Sequence, residues 1–211
     1  MSVPAAPTRA ELRPELALIS DWIAPETRVL DLGCGDGTLL AHLHAARNVA
    51  GYGLEIDADN VIACVAAGVN VLQMDLDDGL SQFESKSFDY VVMSSALQEV
   101  MRPDLLIGEM LRIGRESIVT FPNFGHWRPR ASLGLRGLMP VSRTLPNRWY
   151  DTPNIHLCTV RDFEALCRDK QVEIVRRHVV NHAHQSNVMM RTFPNLLGEI
   201  ALYQLRGHDT D

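Results

Sequence analysis

The sequence has no apolar run approaching the roughly 18 residues needed to cross a bilayer. Its opening, Met1 to Thr8, is rich in Pro and Ala and lacks the charged segment and long apolar stretch of a signal peptide. Both absences predict a cytoplasmic protein with no membrane contact. No C-x-x-C step joins any of the four cysteines, Cys34, Cys64, Cys158 and Cys167, so reduced, isolated thiols are expected. Positive charge is in deficit: 20 Lys and Arg against 26 Asp and Glu leave a net charge of −6, which argues against a nucleic-acid partner. Internal repeats and low-complexity tracts are also missing. What is present is a 211-residue chain with 46% hydrophobic content, suited to one α/β domain that buries roughly 70% of its unfolded surface.

The most informative stretch is Val-Leu-Asp-Leu-Gly-Cys-Gly-Asp-Gly at 29–37, an apolar strand feeding a glycine-dense loop and then a predicted helix from Thr38 to Ala46. Such a loop lets backbone approach a nucleotide-type ligand closely. A dinucleotide fingerprint would place glycines at 33, 35 and 38; here they fall at 33, 35 and 37, and position 38 is Thr. Asp31 would repel a pyrophosphate and attract an ammonium or sulfonium group. Spacing and charge together favour S-adenosylmethionine over NAD. Glu55 ends the second predicted strand, where a carboxylate can accept hydrogen bonds from both ribose hydroxyls. Read alone, an acid after a strand is often a helix cap or a solvated charge; coupled to the glycine loop, it favours ribose binding.

Strand and helix alternate along the chain. A helix is predicted over Arg9–Trp22 beside the ligand site, ended by Pro25. Strands follow at Val49–Glu55, Val69–Met74, Phe88–Met93 and Ser117–Phe121. Helices are predicted over Asp57–Ala67, with Asp57 as its cap and Gly68 as its stop, and from about Pro103. A helix at Val160–Asp169 precedes strands at Val172–Val180 and near Glu199–Leu205. This alternation specifies an α/β, doubly wound, mostly parallel sheet with ligands at the strand carboxyl ends. Between Pro122 and Pro153, five prolines and two tryptophans interrupt the rhythm, and the embedded apolar residues favour a packed cap over disorder. From Ser117 to Tyr150 there are five arginines and no Asp, Glu or Lys. That stretch is either a solvated basic loop or a docking surface for an anionic ligand or acidic partner.

Three segments carry a family resemblance: 29–37, Pro-Asn-Phe-Gly-His-Trp at 122–127, and Trp-Tyr-Asp-Thr-Pro-Asn-Ile-His at 149–156. The first resembles the class I S-adenosylmethionine-dependent methyltransferases at large, and the other two resemble the methionine-biosynthesis MetW family more specifically. The resemblance runs from about residue 12 to 206. It implies a three-layer, Rossmann-like fold with seven strands, the last antiparallel, in a single domain over 1–211 with a cap or insertion at about 122–156. It implies S-adenosylmethionine or S-adenosylhomocysteine held by Asp31, Gly33, Cys34, Gly35 and Gly37, by Glu55 and Ile56, by Asp75 and Leu76 at the adenine, and by Ser94, with Ser95 beside it. Asp77 and Asp78 compete with Asp75.

For catalysis the residues are less explicit. A sulfonium donor is already activated, so an enzyme chiefly aligns an acceptor. Candidates near strand ends are Gln98, Glu99, Asn123, His126, Tyr150, Asp151 and His156, of which His126 and Tyr150 are the catalytic candidates. His126 also reads as a loop histidine bonded to backbone, and Asn123 to Trp127 as a shaped loop in which Asn and Gly permit tight turns and Phe124 and Trp127 supply apolar anchors. His178, His182 and His184 lack the acidic or Cys ligand that would complete a zinc set, so no metal is expected. The resemblance implies a partner, homoserine O-acyltransferase, supported or regulated by this chain with the bound ligand as effector. The alternative is an active methyltransferase on a small, anionic acceptor held by the arginines.

Overall fold

The structure, a computed structural model, describes residues 5–183 and 185–207. The expectation for Met1 to Thr8 therefore falls partly outside the described residues, and that for His184 wholly so. Two compact units are distinguished: residues up to Ser94 with Arg102–Ile118, and Ser95–Met101 with residues from Val119 onward.

In the first unit α1 (Pro14–Trp22) precedes β1 (Arg28–Leu32), α2 (Thr38–Arg47), β2 (Ala50–Glu55), α3 (Ala58–Ala66), β3 (Asn70–Gln73), β4 (Phe88–Ser94) and α4 (Pro103–Ile113). α1 begins five residues later than the helical spacing predicts. Pro14 takes its first turn and holds Arg13 extended at ψ 138°, which stops helix from propagating backward. Asp57 caps α3 by accepting from the Asp59 and Asn60 amides, as its position predicts. β1 pairs in parallel with β2 on one side and β4 on the other, and β2 pairs with β3. Val29, Leu30, Leu43, Leu54 and Val91 are wholly buried between sheet and helices, which is why β1 reads as a nearly continuous apolar run.

β5 (Gly114–Pro122) continues from α4 without a loop. The second unit then carries α5 (Trp127–Ala131), a π turn at Ser132–Arg136, α6 (Val160–Asp169), β6 (Glu173–Val180), α7 (Val188–Thr192), α8 (Pro194–Leu197) and β7 (Ile200–Arg206). α6 matches the predicted bounds because Thr159 and Asp162 form a reciprocal capping box and Phe163 and Cys167 supply its buried stripe. Phe121, Phe163 and Tyr203 form the unit's aromatic core, with ring centroids 4.7–5.9 Å apart. α7 and α8 have no counterpart in the sequence reading, since helices of five and four residues are too short to show a period.

The seven strands have the order β3-β2-β1-β4-β5-β7-β6, and β6 and β7 pair antiparallel. The order reverses between β1 and β4, so the carboxyl ends of these strands form the crevice in which such sheets bind ligands. Among the described residues no helix is long and apolar enough to cross a membrane.

Candidate functional site

The glycine loop leaves β1 at that crevice. Gly33, Gly35 and Gly37 all have left-handed backbone, with φ of 70°, 56° and 76°. The Gly33 and Cys34 amides donate to the Leu54 carbonyl at 2.8 and 3.0 Å, Gly37 N–H donates to Cys34 O at 3.1 Å, and Gly35 N–H donates to Glu55 Oε2 at 2.7 Å. The loop thus spends these amides on its own shape. Its service to a ligand is close approach: a side chain at Gly35 would project into open space, the space a ligand needs.

Gly37 has a different constraint. A Cβ there would lie 2.9 Å from Cys64 Sγ and 3.2 Å from Val69 Cγ2, on a backbone that disfavours L side chains. We expect Gly37→Ala to destabilise the chain by about 2–3 kcal/mol, from left-handed strain plus overpacking. Urea unfolding checks this, and an unchanged midpoint would show that the loop relaxes freely.

Beneath the loop, Cys34 and Cys64 lie with sulfurs 3.8 Å apart. This corrects the expectation of isolated thiols: α3 packs its buried Cys64 under the loop, a proximity invisible at a separation of thirty residues. All four cysteines are free. Burial pushes every thiol up, Cys158 to about 12 and Cys167 to about 11, so all are protonated and poorly nucleophilic at neutral pH.

A cavity of about 420 Å³ opens over the loop, and Asp31, Gly33, Cys34, Gly35 and Ser94 line it. Asp31 is 3% exposed, and its Oδ1 has no hydrogen-bond partner. Burial pushes its carboxyl up to about 7; Arg13 opposes the shift and Glu55 reinforces it. Arg13, Glu11 and Asn60 also line this cavity, although the sequence reading did not single them out. Their types are ordinary for helix ends and surfaces, and no spacing marks them. Arg13 beside an unpartnered carboxylate fits the two charges of an α-amino-acid group, carboxylate to arginine and ammonium to Asp31.

Glu55 is buried and already accepts three backbone N–H groups, from Gly35, Ile56 and Asp57. With about four acceptor positions on a carboxylate, one remains for a ribose hydroxyl in this geometry rather than one for each of two. Glu55 therefore also ties the glycine loop to the turn after β2. Ile56 is exposed and Asp75 caps the short turn Leu76–Asp78 through the Asp77 amide. Ile56, Asp75 and Leu76 stand at the ends of β2 and β3 and do not line the cavity over the loop.

The residues named near strand ends, with the catalytic candidates His126 and Tyr150 among them, belong to the second unit and are dispersed. Asn123 is 2% exposed and forms a structural knot: its Nδ2 donates to Gly198 O at 2.7 Å and Asn195 O at 3.1 Å, while its Oδ1 accepts from Gly125 and Val160 N–H. His126, buried, caps α5 by accepting the Arg128 amide at Nδ1, and desolvation lowers its pKa. Tyr150 is exposed and accepts from Arg148 at 2.7 Å. Gln98 bonds Pro122 O through Nε2, its carbonyl receives the Ile155 and His156 amides, and its buried Oε1 lacks a partner. His182 stands 3.3 Å from Glu199, and His178 lies on β6.

A mostly parallel seven-stranded sheet with one antiparallel pair and a glycine turn after its first strand defines the fold of S-adenosylmethionine-dependent methyltransferases. Solved members superpose accordingly. A methyltransferase from Mesorhizobium loti gives a TM-score of 0.67 at 19% identity, over 92% of this chain and 98% of that one. One from Archaeoglobus fulgidus gives 0.63 at 16%, over 92% and 95%. With this fold, the chain belongs to the MetW family, described as methionine biosynthesis protein MetW, whose model matches residues 13–205. A bifunctional methionine biosynthesis protein MetXA/MetW from Rhodopirellula baltica is 33% identical over 180 residues, 81% of this chain. The match spans only 29% of that relative's length.

Proposed function

We propose that this chain binds S-adenosylmethionine or S-adenosylhomocysteine at the glycine loop and, in the cytoplasm, supports or regulates a homoserine O-acyltransferase of methionine biosynthesis. The observation that carries the reading is the relative that joins MetXA and MetW in one polypeptide, since two activities fused in one chain commonly act on one task. The cradle supports the ligand: Asp31 lacks a partner that an ammonium would supply, Arg13 suits its carboxylate, and Gly35 leaves the room. When bound, the ligand would supply a sulfonium methyl or report pathway end product. We further propose one functional domain over 1–211, in which 122–156 is the partner-docking cap. Leu135 is 87% and Trp149 73% exposed there, among arginines, as an interface for an acidic partner requires.

The test is the acylation rate of the cognate acyltransferase with and without this chain, each with and without S-adenosylmethionine. We expect a severalfold rise on adding the chain and a further change with ligand. Replacing Arg128, Arg130 and Arg136 by Ala should weaken the complex. If the rate is unchanged in all conditions the regulatory reading falls, and release of S-adenosylhomocysteine with small carboxylate acceptors then tests the methyltransferase alternative.

A further inference from the structure

In the second unit, a separate cavity of about 410 Å³ is walled by four chain segments: Asn123 with the start of α5, the turn Val141–Thr144, His182 and Glu199. Each wall is fixed from within. Ser142 N–H donates to Leu145 O, the Leu145 amide donates back to Ser142 Oγ, and buried Leu145 anchors the turn. The α5 wall is held by His126 and by buried Pro129, and Glu199 is held by backbone bonds with Asn123 and Val180.

The charges in this cavity do not balance. Arg128 and Arg143 face one carboxylate, Glu199, which lies 3.8 Å from Arg128 and 3.3 Å from His182. Arg143 has no carboxylate partner among the described residues, although the chain as a whole is acidic. Neutral donors accompany the guanidinium groups. His126 Nδ1 accepts a backbone N–H, so its proton sits on Nε2, which is a donor. Ser142 and Thr144 hydroxyls are 3.2 Å apart, and only one of the two protons is used between them. Donors and positive charge thus converge with little internal compensation.

We infer that this cavity is a binding site for a small oxyanion, a carboxylate or a phosphate, held by Arg143, Arg128 and the Ser142–Thr144 hydroxyls with His126 donating from its Nε2. A forked guanidinium matches either oxyanion, and the size suits a ligand of metabolite scale. The inference is independent of the cofactor reading, because none of the residues that line this cavity belong to the glycine loop.

Calorimetric titration of the full chain with inorganic phosphate and, separately, with succinate tests it at constant ionic strength. At least one probe should bind with millimolar or tighter affinity, and which one binds tells phosphate from carboxylate as the natural chemistry. Arg143→Ala should weaken that binding about tenfold or more while leaving the unfolding midpoint and the S-adenosylmethionine titration as they were. Arg128→Ala should act in the same direction. The inference is overturned if neither probe binds at about 20 mM, or if binding survives Arg143→Ala unchanged. Failure to bind S-adenosylmethionine with intact oxyanion binding would overturn only the cofactor proposal.

Discussion

Asp31→Asn is expected to make the ligand-free chain more stable above pH 7 and, at the same time, to remove most of its affinity for S-adenosylmethionine. The first effect follows from linkage. Asp31 is buried without a partner on Oδ1, and its carboxyl is pushed from 3.8 to about 7. A folded state that prefers the protonated acid is stabilised at low pH. That stabilisation is complete below about 4 and is lost as pH rises to about 7, at about 1.4 kcal/mol per pH unit, or roughly 4 kcal/mol in all. Asparagine has no charge to desolvate, so its stability should not fall over this window. Its amide needs hydrogen-bond partners, which offsets part of the gain, so about 2–3 kcal/mol at pH 8 is expected. The second effect has the opposite sign. Losing a charge-assisted bond to the ligand ammonium should cost about 1.5–3 kcal/mol, a roughly 10- to 150-fold loss of affinity. In the unsubstituted chain, affinity should fall as pH drops below 7, because the ligand must find the carboxylate ionised. Urea unfolding at pH 5 and pH 8 and calorimetric titration decide both points. Parallel stability profiles for the two chains would show that Asp31 is not the strained group.

Asn123→Ala is expected to have the largest structural effect. One buried side chain serves the turn after β5, the first turn of α6 and the end of α8, using both its donor and its acceptor. Truncation leaves the Gly125 and Val160 amides and the Gly198 carbonyl without this partner, at a side chain that is only 2% exposed. The cost should be about 3–5 kcal/mol by the unmet-group penalty. Asn123→Asp keeps the acceptor but loses the donor and buries a charge, so it should also destabilise. A midpoint shift under about 1 kcal/mol for the alanine variant would mean that the three segments re-pair without it.

Asn123 also shows where sequence reading ran short. Its place near a strand end sets it beside the candidate site residues and its neighbours suit a shaped loop, but which segments it ties together is not local: apart from Gly125, its partners lie 37 to 75 residues away. Glu55 is similar. Its distance from the glycine loop marked it as important, but that three backbone amides already occupy it is a fact of the folded turn. The α1 boundary was misplaced for a local reason, since the apolar spacing runs through Leu12 whereas Pro14 sets where helix can begin. Cys34 and Cys64, read as unrelated, are neighbours because α3 folds back under the loop.

What the sequence determined by itself is whatever depends on near neighbours: the alternation of strands and helices, the glycine turn with its aspartate, the capping of α3 and α6, and through these the doubly wound sheet and its crevice. Only the tertiary structure decided how charge and hydrogen bonds are shared. It left Asp31 unpartnered with Arg13 nearby, committed Asn123 to holding loops, and gathered Arg128, Arg143, His126 and Glu199 around one cavity. Periodicity and backbone conformation are set within a few residues along the chain. Desolvation and ion pairing depend on which distant segments meet, and only the packed fold brings those together.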